Sequence, residues 1–333
     1  MQPRRLGAAG PLVAPVGCGA MSFSDFYGPT DEAASHAILR ACLDLGMDHV
    51  DTSNVYGMGR SETWIGSFFA AGNRAHRDFF KIATKAGIAR DAAGNRHFDN
   101  SPAHLEASLD ASPKRMGIDC VDLFYVHRRE AARPIEEVTE TLAGLVKAGK
   151  TKAIGYSEIA PPSLRRAHAV HPVAAVQSEY SLSTRSPELG LVQACEELGV
   201  ALVAFSPVGR ALLTDTPPDA ARAEASGFLK SNPRFQAPNL AANLAATDRL
   251  RALAKDMSVP TASLAIAWLL RKSPSVIPIP GTRSVAHLRE VAQGGALALS
   301  DDDMARIEAA LPVGWAHGDR YSDAQWIGPE RYC

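Results

Sequence analysis

Along the chain, short apolar segments rich in Val, Ile and Phe alternate with longer segments whose apolar residues recur at helical spacing, the pattern of strand and helix units around a parallel sheet. Strands are predicted near 14–20, 48–51, 79–85, 120–127, 151–157, 173–178, 200–206 and 275–279. Helical patterns fall near 31–45, 61–71, 102–116, 135–148, 162–170, 187–198, 247–271 and 284–293, with a last helix at 300–311. Eight strands with eight crossovers predict an α/β fold of one kind, a single (β/α)8 TIM barrel. Thr30 or Asp31 can cap the first helix, Ser101 followed by Pro102 opens the third, and Ser300 precedes the acidic run Asp301, Asp302 and Asp303. Pro113, inside the 102–116 pattern, is expected to kink or shorten that helix.

The length of 333 residues suits one large barrel, so 1–333 reads as a single domain with no Pro- or Gly-rich linker, a loop inserted at about 214–239 and a C-terminal tail at about 312–333. A doubly wound sheet would carry a Gly-rich fingerprint after an early strand, and the nearest match, Gly17-Cys18-Gly19-Ala20-Met21-Ser22, lacks the third glycine. With 46% hydrophobic and 21% charged residues the chain is neither disordered nor fibrous. Lys plus Arg number 35 against 36 Asp plus Glu, which leaves no basic excess for a nucleic-acid partner. Cys18, Cys42, Cys120, Cys195 and Cys333 are odd in number, widely spaced and outside any C-x-x-C arrangement, which argues against a disulfide framework and a zinc site and fits a reducing cytoplasm. No metal is expected. No apolar run approaches the roughly 20 residues of a membrane helix and the start has no apolar signal core, so neither a membrane partner nor export is expected.

In a barrel, chemistry collects where strands end at the C-terminal face. Asp51 ends the second predicted strand, Tyr56 follows in its loop, Lys85 ends the third and His127 the fourth. A lysine among apolar strand residues needs a carboxylate, and Asp51 on the neighbouring strand supplies it. Tyr56 beside the ammonium should then titrate below the ordinary phenol value, and His127 can donate a hydrogen bond to a carbonyl. Singly, these residues read as a turn former, a rim aromatic, a solvated strand end and a satisfied polar group. Together, on successive strand ends, they read as a proton-transfer site.

The strings Asp51-Thr52-Ser53-Asn54-Val55-Tyr56-Gly57, Thr84-Lys85 and Asp119 through Arg128 resemble, in order, the motifs of the aldo-keto reductase superfamily. Gly149-Lys150 through Ile154-Gly155-Tyr156-Ser157, Gln177-Ser178-Glu179-Tyr180, Phe205 through Arg210 and Ile279-Pro280-Gly281-Thr282-Arg283 extend the resemblance from about residue 7 to 321. Glu158 after Ser157 is similar to one bacterial subset. The resemblance implies reversible, NADPH-dependent reduction of an aldehyde or ketone to an alcohol, with NADH a weaker cofactor. It assigns Tyr56 as general acid, Lys85 as the group tuning it, Asp51 as the partner of Lys85, and His127 as the group orienting the carbonyl. It implies that Ser157 and Gln177 hold the nicotinamide carboxamide and that Phe205, where many members have Tyr, stacks on the ring. Ser206, Pro207, Val208, Gly209 and Arg210 would wrap the pyrophosphate, Gly281, Thr282 and Arg283 would meet the adenosine ribose, and the adenine would lie near His287 and Glu290. The Arg283 guanidinium favours a 2′-phosphate, hence NADPH. Val291 stands where many members have Asn.

A substrate pocket is expected from Met21, Phe23, Phe26, Tyr27, Trp64 and the 87–100 loop, with a largely apolar small molecule as ligand. Two other readings stay open on residues alone: a cofactor-binding redox sensor or subunit with little turnover, and a Schiff-base barrel built on a Lys85 of depressed pKa. The oligomeric state has no signature in the chain.

Overall fold

Eight parallel strands form the central sheet: β1 (Cys18–Gly19), β2 (His49–Asp51), β3 (Lys81–Ala86), β4 (Leu123–Val126), β5 (Ile154–Ser157), β6 (Ala175–Glu179), β7 (Ala201–Phe205) and β8 (Val276–Pro278). Each strand pairs with its sequence neighbour. The ring is joined by backbone hydrogen bonds from Gly17 N to Pro278 O (2.9 Å) and Gly19 N to Pro280 O (3.0 Å). The fold is therefore the (β/α)8 barrel. The computed structural model describes residues 2–91 and 93–332; the expectations that touch Cys333, and Ala92 within the 87–100 loop, fall outside the described residues.

The period-2 alternation of the strands divides the core in two. One set of side chains, Ile82, Phe124, Val126, Val176 and Leu202 among them, packs outward against the helices. The alternate set, Ala83, Leu123, Tyr125, Ala175, Val203 and Ile277, fills the interior, closed at the bottom by Leu6 and Val13 of an N-terminal hairpin pairing Arg4–Arg5 with Leu12–Val13. Interior space is tight at Gly155, where an added Cβ would lie 2.6 Å from the Tyr125 ring and 2.7 Å from Ala175 O. Gly155→Val is expected to cost about 1–3 kcal/mol through overpacking, read as a lowered urea midpoint. An unshifted midpoint would contradict the crowding.

Local signals set the helix ends. Asp31 caps the helix Glu32–Leu45 by accepting from Ala34 N, Ser101 caps Pro102–Met116, and Ser300 with Asp303 forms a reciprocal capping box. Several expectations need correction. The strand near 14–20 reduces to Cys18–Gly19 and runs straight into a 3-10 turn, Ala20–Phe23. Phe23, expected at the pocket, is 1% exposed and joins the outer core. The helix near 61–71 extends over Arg60–Phe79. Pro113 does not shorten its helix, because it lies in the last turn, ahead of the left-handed cap Gly117. The 247–271 pattern is two helices, Asn239–Asp256 and Thr261–Lys272, separated at Pro260. The 187–198 pattern gives only Leu191–Leu198 as α-helix.

Three irregular segments gather over the barrel mouth. The 87–100 segment contains an antiparallel hairpin, Ile88–Arg90 with Arg96–Phe98. The segment after β7 carries a short helix, Ala220–Ala225, and two 3-10 turns, Leu229–Ser231 and Pro233–Phe235. The tail is tied to that insert, to the helix after it and to the β6 loop: Asn232 Nδ2 donates to Arg320 O (2.7 Å), His317 N donates to Asn243 Oδ1 (2.8 Å), and Trp315 Nε1 donates to Leu182 O (2.7 Å).

Candidate active site

Asp51, Lys85, Ser157, Gln177 and Phe205 continue the inward-facing register of their strands, so the alternation that fills the core with Ala83 and Tyr125 delivers polar groups to its top. Lys85 is fully buried and donates to Asp51 Oδ1, to Thr52 O (2.8 Å) and to the Tyr56 hydroxyl (3.4 Å). Its ammonium lies 5.0 Å from the Tyr56 ring centroid. Burial pushes the ammonium toward neutrality, but the Asp51 carboxylate and the Tyr56 phenol outweigh it and hold the Lys85 pKa above its ordinary value. A Schiff-base lysine needs the opposite shift.

Tyr56 departs from its expectation. Burial of the phenol raises its pKa more than the Lys85 cation lowers it, with Asp51 adding to the rise, so the hydroxyl is held protonated. His127 meets the Tyr56 ring edge-on at 5.8 Å between centroids. Its pKa falls well below the ordinary imidazole value through burial, then through the charges of Arg128, Lys85 and Arg96, and the ring is neutral at pH 7. Nδ1 lies 3.1 Å from Ser53 Oγ. When Ser53 donates to Nδ1 rather than to Lys85 O (3.3 Å), Nε2 carries the proton and is a hydrogen-bond donor.

The expected cofactor residues divide into two groups. Gln177 Nε2 donates to Asp51 Oδ2 (2.8 Å) and Ser157 Oγ accepts from Arg128 Nη1 (3.0 Å), which also donates to His127 O, so one carboxamide candidate is linked to Asp51 and the other through Arg128 to His127. After β7, Ser206 (φ 50°), Gly209 (59°), Arg210 (56°) and Ala211 (75°) adopt left-handed backbone, three of them without being glycine. Such alternation turns backbone N–H groups into an anion-binding concavity, at about 1–3 kcal/mol per strained residue. Pro207 and Val208 brace this turn, Pro207 buried and Val208 against the outer core. The guanidinium of Arg210 is a correction: it donates to buried Glu179 (2.6 Å) and lies under the Phe228 ring (4.5 Å), so only its backbone is left for a pyrophosphate.

Across the barrel, Gly281 and Thr282 lead to Arg283, an exposed residue whose Nη1 donates to Pro29 O (2.7 Å). Thr282 Oγ1 accepts from Ser284 N (3.0 Å), and Ser284 caps the helix Val285–Gly294, on which His287 is exposed and Glu290 half-buried. Left-handed backbone lies on one side of the mouth and an exposed arginine on the other. Among the described residues no cluster of three or more His, Cys, Asp or Glu is placed to hold a metal ion.

On the substrate side, Phe26 (36% exposed) and Tyr27 meet edge-on at 4.9 Å, and Phe26 reaches Phe228 of the insert at 5.1 Å, which joins the β1 loop to the β7 loop. Met21 is half-buried in the 3-10 turn. Trp64 is a correction. It sits on the helix Arg60–Phe79, packed on the outer core beneath Arg60 (5.1 Å) with its carbonyl against His36, because the helical register turns it to the neighbouring helix. Residues that the sequence reading missed are Ser53, beside His127, and Arg128, on Ser157. Arg128 had a signal, being the cation next in chain to His127, whereas nothing local marked Ser53.

The chain matches the family model described as Aldo/keto reductase family over residues 15–312. It is 36% identical over 328 residues to "Probable aldo-keto reductase 1" of Glycine max, an alignment covering 96% of this chain and 92% of that protein. It is 37% identical over 310 residues to "Aldo-keto reductase yakc [NADP(+)]" of Schizosaccharomyces pombe, covering 92% and 91%. Among solved structures, the glycerol dehydrogenase AKR11B4 from Gluconobacter oxydans superposes with a TM-score of 0.81 at 25% identity, over 93% of this chain and 94% of that one. With its barrel, its buried Lys85–Asp51 pair and this match along nearly all its length, the chain belongs to the aldo/keto reductase family of oxidoreductases.

Proposed function

We propose that the chain is an NADPH-dependent reductase of aldehydes or ketones in which Tyr56 is the general acid, acting as one barrel domain over its whole length. The observation that carries this reading is the buried chain of contacts from Asp51 through Lys85 to a protonated Tyr56, with neutral His127 beside it. Ser157 and Gln177 would hold a reduced nicotinamide against Phe205, where it would supply the hydride. The protein's residues do the rest. His127 Nε2 donates to the substrate oxygen and fixes the carbonyl beside the Tyr56 hydroxyl. As negative charge builds on that oxygen, the phenol gives up its proton and Lys85 stabilises the phenolate left behind. Asp51 keeps Lys85 charged and in place without itself meeting substrate. The same groups run alcohol oxidation in reverse.

The test is steady-state oxidation of NADPH and NADH by the purified protein with aromatic aldehydes, aliphatic aldehydes, sugars and diketones, with Tyr56→Phe alongside. Turnover that prefers NADPH and collapses in the variant supports the reading; tight NADPH binding without turnover points instead to a sensor or subunit. Arg283→Met tests cofactor choice. Its present acceptor, Pro29 O, is neutral, so a 2′-phosphate offers a stronger, charge-assisted bond. KM for NADPH is expected to rise about 10- to 100-fold, matching loss of charged hydrogen bonds, with KM for NADH little changed. Equal effects on both cofactors would remove Arg283 from that role.

A further inference from the structure

The arginines around the mouth are of two kinds. Those on the β5 to β7 side have carboxylate partners: Arg320 pairs with Glu158, and Arg210 with Glu179, which also faces Arg234 at 3.7 Å. On the β3 and β4 side Arg129 pairs with Glu330 and Arg133 with Glu130, but Arg96 and Arg128 are left over. Among the described residues neither Arg128 nor Arg96 has a carboxylate partner, and the acids nearest them in sequence are committed elsewhere: Glu130 to Asn100 N and Arg133, Asp99 to the start of the helix Pro102–Met116.

These two guanidiniums flank the wall that leads to the catalytic pair. Arg128 follows His127 directly, and its Nη1 donates to His127 O (2.6 Å) and Ser157 Oγ (3.0 Å). Its stem lies against Gly328 of the tail, as does the Phe98 ring; a Cβ on Gly328 would come within 3.2 Å of the Arg128 side chain and 2.6 Å of that ring. The Arg96 guanidinium lies over the same ring, 5.6 Å from the Phe98 centroid. The order Arg96, Phe98, Gly328, Arg128, His127 is therefore a continuous surface, cationic at two points and ending at the group that would hold the carbonyl. Like charges on one wall repel, and the Arg128 charge, after burial itself, depresses the Arg96 pKa. An anion between them would relieve both.

We propose that this wall is an anion subsite, and that the substrate is a carbonyl compound carrying a carboxylate or phosphate group, held by Arg96 and Arg128 while its carbonyl meets Tyr56 and His127. The inference rests on the reductase reading and narrows it. A guanidinium takes a carboxylate or phosphate edge through two parallel hydrogen bonds, and Phe98 supports an apolar linker between the anion and the carbonyl. The apolar ligand expected from the aromatic residues of the β1 loop thus becomes an amphipathic one.

The test compares kcat/KM within two pairs: 4-carboxybenzaldehyde against methyl 4-formylbenzoate, and glyceraldehyde 3-phosphate against glyceraldehyde. The charged member of at least one pair is expected to be preferred by about 10- to 100-fold, mainly through KM, and which pair responds identifies the anion. The preference should shrink as salt is raised. In Arg96→Gln, on the hairpin and remote from Lys85 and Asp51, the charged-to-neutral ratio should fall toward one, and Arg128→Gln should lower it as well. Reduction of the neutral compounds with a ratio near one in the wild type overturns the subsite and leaves the reductase intact, as does a ratio untouched by both substitutions. No turnover of any of these four compounds or of the wider aldehyde, sugar and diketone panel removes both.

Discussion

Replacing Tyr56 by phenylalanine is expected to lower kcat for carbonyl reduction by about 10²- to 10⁴-fold, the range that a positioned general acid contributes. The ring, its packing on His127 and its contact with the Lys85 ammonium survive the change, so NADPH affinity and thermal midpoint should stay near wild type. The pH profile supplies a second readout. The acid must be protonated, and burial holds the Tyr56 pKa above the ordinary phenol value near 10. Reduction should therefore run level through neutral pH and decline only as the solution passes that raised value, while alcohol oxidation, which needs the phenolate, rises with pH. Because the His127 pKa is depressed by burial and by Arg128, Lys85 and Arg96, no inflection should occur around the usual imidazole range. A break in kcat near pH 6.5 would contradict the neutral ring, and a variant retaining most turnover would take the acid role from Tyr56.

The second large effect concerns the Asp51 and Lys85 pair. Asp51→Leu leaves a buried ammonium with Thr52 O and the Tyr56 hydroxyl as its remaining acceptors, and breaking a buried pair from one side costs about 3–5 kcal/mol. Lys85→Met strands the carboxylate, with Gln177 Nε2 still donating to its other oxygen, and the loss should be somewhat smaller. The double variant Asp51→Leu with Lys85→Met replaces both charges by apolar groups in a dry site, so it should recover most of the lost stability while remaining inactive. Urea midpoints for the four proteins give the stability cycle and NADPH oxidation gives the activity. Recovery of stability without activity separates the catalytic purpose of the pair from a structural one; a double variant as unstable as Asp51→Leu would mean that repacking, and not an uncompensated charge, sets the cost.

Much of the mouth was legible because barrel strands impose simple arithmetic. The inward-facing register carries Ala83 to Lys85 and Ala175 to Gln177, so a polar residue at a strand end, two beyond a small apolar one, had to surface at the C-terminal face. The capped helix starts at Asp31, Ser101 and Ser300 were equally readable, since each needs only an oxygen and the N–H groups two or three residues on. The reading failed where a residue's partner is distant in sequence. Trp64 went to a neighbouring helix, Phe23 into the outer core, and the Arg210 guanidinium to Glu179, all decided by packing between segments far apart in the chain. The sign of the Tyr56 shift was missed for a related reason. The cation could be inferred from spacing, but the desolvation that outweighs it depends on everything packed around the phenol.

The sequence by itself determined the number and order of the eight barrel strands, the strand-end positions of Asp51, Lys85 and His127, and the loop that carries Tyr56. Those are local properties of periodicity and capping, written in residues a few positions apart. Tertiary structure alone decided which charges remain uncompensated. Glu158 and Glu179 meet arginines delivered by the turn after β7 and the tail, more than a hundred positions away in the case of Arg320, whereas Arg96 and Arg128, close enough for one charge to act on the other, have no carboxylate partner among the described residues. Charge balance at a site depends on distance in space, and a linear pattern with a net charge near zero carries no record of it.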